Sequence, residues 1–490
     1  MSSQPKSAAA DEAKDLRLLF PSRSTIKARE KHMTATSSRK LFGTDGIRAI
    51  AGQAPLDPTT VYATGLALAH SLRRITFDPR VVLGRDTRES SPWIAAMLAA
   101  GLRAAGARVE SAGIITTPAV AFLARRHGFQ AGVVISASHN PWQDNGIKLF
   151  GGDGYKLADA VELAIEDEIL HHAAHIDAPD PASLPPLEDN SAFQSDYVQF
   201  LMDCVPGLSL SHLKIVADCA HGAAAAVAPD LFRRLNADGT AIITLLNIAP
   251  SGRNINLNCG ALHPDYVAGQ VVTHGAHLGL TFDGDADRCM LAGAGGNVVN
   301  GDAILLMAAR DLQVRGLLTG NLVVATTMSN MGLEAALKRS GIRMDRAPVG
   351  DRYVLEEMQK QNAALGGEQS GHILFPHLAT TGDGLLTALV LLDLIGRTGK
   401  SLEDLTAGLK VFPQVIVSVK VREKKPLASI PAVAAAIRAA EEELKETGRV
   451  VVRYSGTEPL ARVMIEAEDE AAMRRHAEGI AEAIRGELGA

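Results

Sequence analysis

The sequence predicts an α/β protein of several domains, in which three units with parallel or mixed sheets precede a smaller α+β domain. Short Val- and Ile-rich runs that end in polar turns alternate with Ala- and Leu-rich helical stretches, as in repeated βα units. Residues 174–192 are rich in Asp and Pro, which indicates a linker. Residues 411–490 combine apolar strands with charged helices, which is typical of an antiparallel α+β domain.

The first unit, residues 39–185, contains two strands that run into polar loops. The strand predicted at 81–84 is followed by a helix over 93–105. The strand predicted at 132–135 leads into the sequence SASHNP. Together these elements form one α/β block.

The later units repeat this alternation and then depart from it. The second unit is residues 186–296, and the third is residues 297–410. Their predicted strands cover 214–217, 241–246, 278–282 and 321–325. In the fourth unit, residues 411–490, a second C-terminal helix follows a charged helix over 430–446, and the predicted strands cover 415–421, 449–453 and 462–466.

The composition is that of an ordinary folded protein, because 47% of the 490 residues are apolar and 21% are charged. Lys and Arg number 49 against 55 Asp and Glu, so we expect no general attraction to nucleic acid or anionic membranes. No apolar stretch approaches the roughly 20 residues that span a bilayer. The four cysteines form no C-x-x-C pair and are expected to be reduced thiols.

Residues 1–38 precede the first motif and are rich in Ser, Ala and Lys. They lack the apolar core of a signal peptide, so we expect a cytoplasmic protein. Because Met33 lies just before the first motif, the segment is predicted to be a disordered tail or an extension upstream of the native start.

The sharpest chemical signal is DGDADR at residues 283–288, which follows an apolar strand. Asp283, Asp285 and Asp287 place three carboxylates close together, and a divalent cation such as Mg²⁺ would offset their repulsion. An EF-hand is excluded because its loop needs Gly at the position of Arg288. A solvated acidic turn is the alternative. Arg288 itself is suited to hold a phosphate oxygen beside a metal.

A second signal is the polar loop that begins with SASHNP. Ser136 and Ser138 are candidate nucleophiles, and His139 and Lys148 are candidate proton carriers. No G-x-S-x-G elbow occurs in the chain, so a hydrolase triad is not indicated. A plain turn between two strands, with Asn-Pro and Asn-Gly as turn residues, explains the segment equally well.

Two further segments have the composition of anion-binding loops. LFGTDGIR ends in Arg48, and RYSGTE contains a guanidinium, two hydroxyls and a glycine from Arg453, Ser455, Gly456 and Thr457. Such groups suit a phosphate dianion. Either segment is alternatively a plain turn, and neither a P-loop nor a G-x-G-x-x-G motif accompanies them.

A third segment, GGEQSGH, carries polar side chains suited to a sugar. Glu368 and Ser370 offer hydrogen bonds to a polyhydroxy or amino ligand, and His372 offers an acid or base. A cap at the start of a helix explains Ser370 equally well.

The motifs occur along the chain in the order LFGTDGIR, SASHNP, DGDADR, GGEQSGH and RYSGTEP. In this order the sequence resembles the α-D-phosphohexomutase superfamily, most closely its bacterial phosphoglucosamine mutase family. The resemblance extends from about Arg39 to the C-terminus. It implies four domains around a central cleft, three of related mixed α/β build and a C-terminal α+β domain similar to TATA-binding protein.

The resemblance also implies a mechanism. Ser138 would be the phosphorylated nucleophile and would bind one Mg²⁺ together with the three aspartates. The phosphoserine would interconvert glucosamine 6-phosphate and glucosamine 1-phosphate through glucosamine 1,6-bisphosphate, for UDP-N-acetylglucosamine and cell-wall precursors. Arg48, Lys148 and His372 would lie near the transferring group, with Lys148 as proton carrier.

The remaining candidates would bind the sugar phosphate. Arg288, Glu368 and Ser370 would contact the reacting end and the sugar hydroxyls. The non-reacting phosphate would be bound by a loop formed by Arg453, Ser455, Gly456 and Thr457.

Among the residues that depart from the common pattern of the superfamily, two lie in the candidate site loops. Ala286 stands where glycine is usual, which requires that this position avoid a backbone geometry restricted to glycine. Tyr454 stands where a basic residue is common and would stack on the sugar instead.

Other functions remain open at this point. Within the superfamily the alternative is a phosphomannomutase/phosphoglucomutase. Outside it, the alternatives are a non-catalytic sugar-phosphate-binding protein and a metal-dependent phosphatase. The family includes dimers, so a homodimer is allowed, and Ser138 would be loaded by a kinase or by autophosphorylation.

Overall fold

The structure is a computed structural model that describes residues 41–43, 45–454 and 460–489. The predicted tail at 1–38 therefore lies outside the described residues, as do Ser455, Gly456 and Thr457. None of the described helices is both long and apolar enough to cross a bilayer.

Domain I is built on a six-stranded mixed sheet in the order β1-β2-β6-β5-β3-β4. Its strands are β1 (Phe42–Gly43), β2 (Gly46–Ile50), β3 (Arg80–Arg85), β4 (Arg108–Ile114), β5 (Ala131–Ile135) and β6 (Asp144–Gly151). Its helices are α1 (Pro58–Arg73), α2 (Ser91–Ala104), α3 (Thr117–Arg126) and α4 (Asp159–Ala173). The start of α1 follows from its sequence, because the Asp57 carboxylate accepts a hydrogen bond from the Thr60 N–H and a proline occupies the first turn.

Domain II has a five-stranded sheet in the order β11-β10-β9-β7-β8. Its strands are β7 (Lys214–Asp218), β8 (Ile242–Leu246), β9 (Leu278–Phe282), β10 (Cys289–Gly293) and β11 (Val298–Val299). Its helices are α5 (Ala192–Cys204), α6 (Ala224–Leu235) and α7 (Pro264–His274).

Domain III has a four-stranded sheet in the order β13-β12-β14-β15. Its strands are β12 (Leu322–Thr326), β13 (Arg343–Ala347), β14 (Leu365–Gly367) and β15 (Ile373–Leu374). Its helices are α8 (Gly301–Val314), α9 (Met331–Arg339), α10 (Asp351–Gln361), α11 (Gly384–Thr398) and the short α12 (Leu402–Leu405).

One four-stranded topology recurs in these three domains. The orders β4-β3-β5-β6, β8-β7-β9-β10 and β13-β12-β14-β15 are the same when the strands are counted from β3, β7 and β12, respectively. In each, three strands are parallel and the fourth is antiparallel. The loop between the third and fourth strands therefore has the same place in each domain, at 136–143, 283–288 and 368–372.

Domain IV is a three-stranded antiparallel sheet with two helices packed against it. The elements are β16 (Gln414–Lys420), β17 (Gly448–Tyr454), β18 (Leu460–Ala467), α13 (Pro431–Leu444) and α14 (Glu470–Leu488). Its apolar core is separate, whereas the largest apolar cluster of the described residues runs continuously through domains I, II and III.

The predicted fold class is confirmed, and each predicted strand is present within two residues at either end. The linker at 174–192 contains only a short 3₁₀ turn, Pro181–Ser183, before α5 begins. Strands such as β6 were not predicted, because its sequence DNGIKLFG mixes turn residues and a lysine with apolar ones. The domain limits proposed from sequence stay predictions.

Candidate active site

Ser138 lies in the loop 136–143 with its side chain buried. Its Oγ donates a hydrogen bond to Asp283 Oδ2 at 2.5 Å, across the boundary between domains I and II. The backbone of Ser138 has a φ of 51°, in the left-handed region that residues other than glycine rarely adopt. Ser136 supports this turn, since its Oγ accepts from the Ser138 N–H at 2.9 Å and donates to Asp86 Oδ2 at 2.6 Å. Of the two serines, Ser138 is therefore the one that faces the acidic loop. The loop 136–143 lies between the strands β5 and β6, as its turn residues indicated.

Arg88 fixes the backbone of this loop, and sequence reasoning assigned it no role. Its guanidinium is fully buried, and each of its five N–H groups has an acceptor. Nε donates to Asp86 at 2.8 Å. The other acceptors are the carbonyl oxygens of Ser138 at 2.9 Å, Asn140 at 2.9 Å, Asp144 at 3.0 Å, and Pro141. The local signal was RDTR directly after β3.

Asp283, Asp285 and Asp287 form one carboxylate cluster, with an oxygen from each lying within 4.8 Å of the others. Their exposed fractions are 0%, 0% and 5%, so the alternative of a solvated acidic turn is wrong. Burial and the charges of its two neighbours raise the pKa of Asp283 well above its ordinary value. Among the described residues, Asp285 Oδ1 is buried and accepts no hydrogen bond. Hard oxygen donors, excess negative charge and an unused buried oxygen fit a divalent cation such as Mg²⁺.

Ala286, between the second and third acids, has φ of 55°. This left-handed geometry favours glycine but is not restricted to it, so the position agrees with the expectation and is nevertheless strained for alanine. The loop must turn sharply here because Gly284 is pressed against the serine loop, where an added Cβ would lie 2.5 Å from the Ser138 carbonyl oxygen. The left-handed bend at Ala286 lets both flanking carboxylates stay in the cluster at a cost of about 1 kcal/mol.

Lys148 is buried beside the acids. Its Nζ lies 2.8 Å from Asp285 Oδ2, 3.0 Å from Asp45 Oδ2 and 3.4 Å from Asp287 Oδ2. Burial acts to lower the pKa of Lys148, but the three carboxylates outweigh it and hold the pKa well above its ordinary value. Lys148 is thus a proton-bearing group at the metal cluster. Thr117 completes the surroundings by donating from Oγ1 to Asp285 Oδ2 at 2.5 Å.

Three charged residues that sequence reasoning missed extend this network into the cleft. Asp45 pairs with Arg48 and with Lys156, and Lys156 Nζ also lies 2.6 Å from Asp351 Oδ2 in domain III. Burial opposes ionisation of Asp45, but Lys148, Lys156 and Arg48 hold its pKa well below the ordinary value. Arg48 is therefore anchored by a permanent anion and points its remaining donors at the cleft.

The loop 368–372 brings His372 to the same cluster. His372 Nδ1 is 3.5 Å from Asp287 Oδ1, and Nε2 is 3.6 Å from Asp351 Oδ2. Burial acts to lower the pKa of His372, but the two carboxylates outweigh it and raise the pKa to about 9. At neutral pH His372 is therefore an imidazolium.

The cleft also contains a neutral imidazole, that of His139, and a hydrogen-bonded pair formed by Ser370 and Glu368. Burial, with Arg288 and Arg48, lowers the pKa of His139 to about 4, so this imidazole is neutral, with Nδ1 3.2 Å from Ser138 Oγ. Ser370 donates to Glu368 Oε2 at 3.4 Å in a loop between β14 and β15. The alternative that Ser370 caps a helix is wrong.

These residues line one open cleft between domains I, II and III. A cavity of about 390 Å³ is lined by Asp45, Arg48, His139, Lys156, Arg288 and His372, among others. An adjoining cavity of about 590 Å³ contains Ser370 and shares His139, Arg288, Val349 and Glu368 with the first. The concentration of cationic groups suits an anionic ligand.

The residues predicted to bind the non-reacting phosphate do not join this cluster in the described part of the chain. Arg453, near the end of β17, is exposed and is not among the residues that line the two cavities. Ser455, Gly456 and Thr457 lie outside the described residues. Tyr454 donates its hydroxyl to the Lys425 carbonyl oxygen at 2.5 Å, which does not support stacking on a sugar.

Comparison with known proteins identifies all four domains. Residues 39–175, 195–296 and 300–412 match the phosphoglucomutase/phosphomannomutase alpha/beta/alpha domains I, II and III, and residues 416–483 match the C-terminal domain of that family. Among solved structures, a phosphoglucomutase/phosphomannomutase family protein of Burkholderia thailandensis has a TM-score of 0.71 at 23% identity, covering 90% of this chain and 97% of its own. Aspergillus fumigatus N-acetylphosphoglucosamine mutase, solved with GlcNAc-6P and magnesium, has a TM-score of 0.57 at 18% identity, covering 95% and 98%.

Closer relatives are found by sequence. A phosphoglucosamine mutase of Koribacter versatilis is 56% identical over 459 residues, which cover 92% of this chain and 98% of that protein. A phosphoglucosamine mutase of Solibacter usitatus is 51% identical over 452 residues, which cover 92% and 100%. With its buried serine, acidic cluster and cationic cleft in the matched domains, the chain belongs to the phosphoglucosamine mutase family.

Proposed function

We propose that this protein is an isomerase that interconverts glucosamine 6-phosphate and glucosamine 1-phosphate, through a phosphoserine at Ser138 and glucosamine 1,6-bisphosphate. The observation that carries the proposal is the contact of Ser138 Oγ with Asp283 at 2.5 Å, which places the buried acidic cluster beside a candidate nucleophile. The assignment to glucosamine phosphates follows the relatives at 56% and 51% identity.

Asp283, Asp285 and Asp287, with the phosphorylated Ser138, would hold one Mg²⁺ per chain. When bound, this cation would neutralise charge on the transferring phosphoryl group. Two of these carboxylates, those of Asp285 and Asp287, also contact Lys148, so the metal and the ammonium group would share part of one ligand set.

The phosphoryl group would move from Ser138 Oγ to a sugar hydroxyl, so that the P–Oγ bond breaks as the new P–O bond forms. The hydroxyl loses a proton and Oγ gains one. Lys148 carries a proton at the acidic cluster and is assigned the role of proton carrier, while Arg48 and Arg288 balance the phosphate charge. The reverse transfer, after the bisphosphate turns over, uses the same groups.

Cationic side chains from three domains line the cleft, which suits a bisphosphate that binds in two orientations. Arg48 and Lys156 come from domain I, and Arg288 and His372 come from domains II and III. Glu368 and Ser370 would hydrogen-bond the sugar, and Arg453 with Ser455, Gly456 and Thr457 would grip the phosphate that is not reacting. Cytoplasmic location, dimerisation and the route that first phosphorylates Ser138 stay predictions.

The test is a coupled rate assay with Mg²⁺ and a trace of sugar 1,6-bisphosphate, comparing glucosamine, glucose and mannose phosphates at equal concentration. We expect the highest kcat/KM for glucosamine phosphate and no turnover by Ser138→Ala. A preference for glucose or mannose phosphates would overturn the substrate assignment. Net release of inorganic phosphate would instead indicate a phosphatase.

A further inference from the structure

We propose that His70, Glu168 and His172 form a second metal site, for a transition-metal dication of the zinc class, on the outer side of domain I. His70 lies on α1, and Glu168 and His172 lie on α4. One ligand atom from each residue lies within 4.8 Å of the other two. This site shares no residue with the catalytic cleft.

The arrangement has the chemistry that zinc prefers. His70 Nδ1 is 2.8 Å and His172 Nε2 is 3.5 Å from the same oxygen, Glu168 Oε1. Two imidazole nitrogens and one carboxylate oxygen are a common zinc ligand set that leaves a fourth position to water. The catalytic cluster, in contrast, offers only oxygen ligands, which Mg²⁺ prefers.

The fold prepares this site because its ligands come from two packed helices. Glu168 and His172 are four residues apart on α4 and so share one face of the helix. The imidazole rings of His70 and His172 are 5.3 Å apart between centroids, so α1 and α4 already hold them together. Small side-chain rotations would be enough to direct His70 Nδ1, His172 Nε2 and Glu168 Oε1 toward one cation.

One contact competes with metal binding. Arg74 Nη2 lies 3.6 Å from Glu168 Oε2, and its side chain is 65% exposed. It approaches Oε2, whereas the two histidines contact Oε1, and its exposed side chain can move into water. Its positive charge will weaken the binding of a cation, but the contact is to Oε2 and not to the ligand atom Oε1.

Metal binding here would stabilise one edge of domain I. The helix α4 also carries Glu166, whose Oε2 accepts hydrogen bonds from the backbone N–H groups of Leu41 at 2.9 Å and Phe42 at 3.0 Å. Phe42 begins β1, and the next strand, β2, contains Arg48. A cation that ties α4 to α1 would therefore raise the melting temperature of the protein.

The test is a titration of the full-length protein with ZnCl₂ in saturating Mg²⁺, read by competition with a chromophoric chelator and by thermal denaturation. The variants are His70→Ala and His172→Ala, and the matched control is His171→Ala, which removes an exposed imidazole from the same helix. Each protein is also melted in EDTA, so that a variant with a damaged fold is recognised by its metal-free melting temperature.

We expect the wild type and His171→Ala to bind one zinc that His70→Ala and His172→Ala bind at least about tenfold more weakly. Zinc should raise the melting temperature only in the first pair. Any zinc bound at the catalytic acids is common to all four proteins and cancels in the comparison. Equal zinc affinity in all four proteins, or loss of the site in His171→Ala, would overturn the proposal.

Discussion

At the scale of single residues, the position of Ser138, the candidate nucleophile, depends on groups that are assigned no chemical role. Ser138 has a left-handed backbone, which is unfavourable for a serine unless its surroundings hold it. The buried pair of Arg88 and Asp86 supplies that support through the carbonyl oxygens of the loop and through Ser136. Arg88 is thus a positioning residue for Ser138.

Replacing Arg88 with lysine keeps the charge but removes the forked geometry that reaches four carbonyl oxygens. A shift of the serine by about 1 Å is expected to lower kcat roughly 100-fold, with KM nearly unchanged. Steady-state kinetics, together with urea denaturation to check folding, would measure this. If the apparent kcat fell only in proportion to the unfolded fraction of the enzyme, Arg88 would be purely structural.

His372 makes stability depend on pH. Its pKa is raised from 6.5 to about 9 in the folded protein, so the folded state binds this proton more tightly than the unfolded state. The resulting stability is fully present below pH 6.5 and is lost as the pH rises through about 9, at about 1.4 kcal/mol for each pH unit between them. Unfolding of EDTA-treated protein at several pH values should show this loss in the wild type and a flatter profile in His372→Asn. Parallel profiles would contradict the assignment.

At the scale of elements, three equivalent loops carry the three groups of candidate site residues. The loops after β5, β9 and β14 carry Ser138, the three acids and His372 respectively. Each begins at the carboxyl end of a parallel strand, where ligands bind in α/β sheets. The recurrence of one topology therefore brings the candidate nucleophile, metal ligands and sugar-binding groups to one cleft.

The left-handed residue in the metal loop gives an element-scale prediction. In Ala286→Gly the loop keeps its path without the steric cost of a Cβ, so the free energy of unfolding should rise by about 0.5–1 kcal/mol. Ala286→Val should lower it, because a β-branched side chain tolerates positive φ poorly. Urea denaturation of both variants, with Mg²⁺ titration to confirm an intact site, tests this. A less stable Ala286→Gly would mean that the bend is not strained.

How far the sequence predicts this site depends on how local its contacts are. The loops of Ser138, the acids and His372 were predicted because each places reactive groups within a few residues. Lys156, in contrast, pairs with Asp45 and Asp351, which are 111 and 195 positions away along the chain. No local pattern reveals such pairs, nor does it reveal the crowding of the loop at Ala286, which comes from domain I.

At the scale of the whole molecule, domain IV is held to domain III by a small polar interface. Arg449 donates to the carbonyl oxygens of Thr327 at 2.6 Å and Ser329 at 3.1 Å and pairs at 2.8 Å with Glu466, which is 1% exposed. Glu466 also accepts from the Met331 N–H at 3.1 Å. Since domain IV has its own core, these contacts hold it against domain III.

Removing Arg449 tests that interface. Arg449→Ala leaves a buried carboxylate without its cation, which typically costs about 3–5 kcal/mol, and should loosen domain IV. If the loop of domain IV that contains Ser455, Gly456 and Thr457 binds the non-reacting phosphate, KM should rise by a larger factor than kcat falls. The matched control is Lys410→Ala, whose exposed pair with Glu468 should contribute less than about 1 kcal/mol. Equal effects of the two variants on KM and melting temperature would contradict this role.

The central claim is that Ser138 carries the phosphoryl group between the two glucosamine phosphates. The most direct measurement incubates the enzyme and Mg²⁺ with glucosamine 1,6-bisphosphate bearing a labelled phosphate, maps the labelled peptide, and then adds unlabelled glucosamine 6-phosphate. We predict label on the peptide of Ser138 alone, followed by its transfer into sugar phosphate. Label on another residue, or label released only as inorganic phosphate, would contradict the claim.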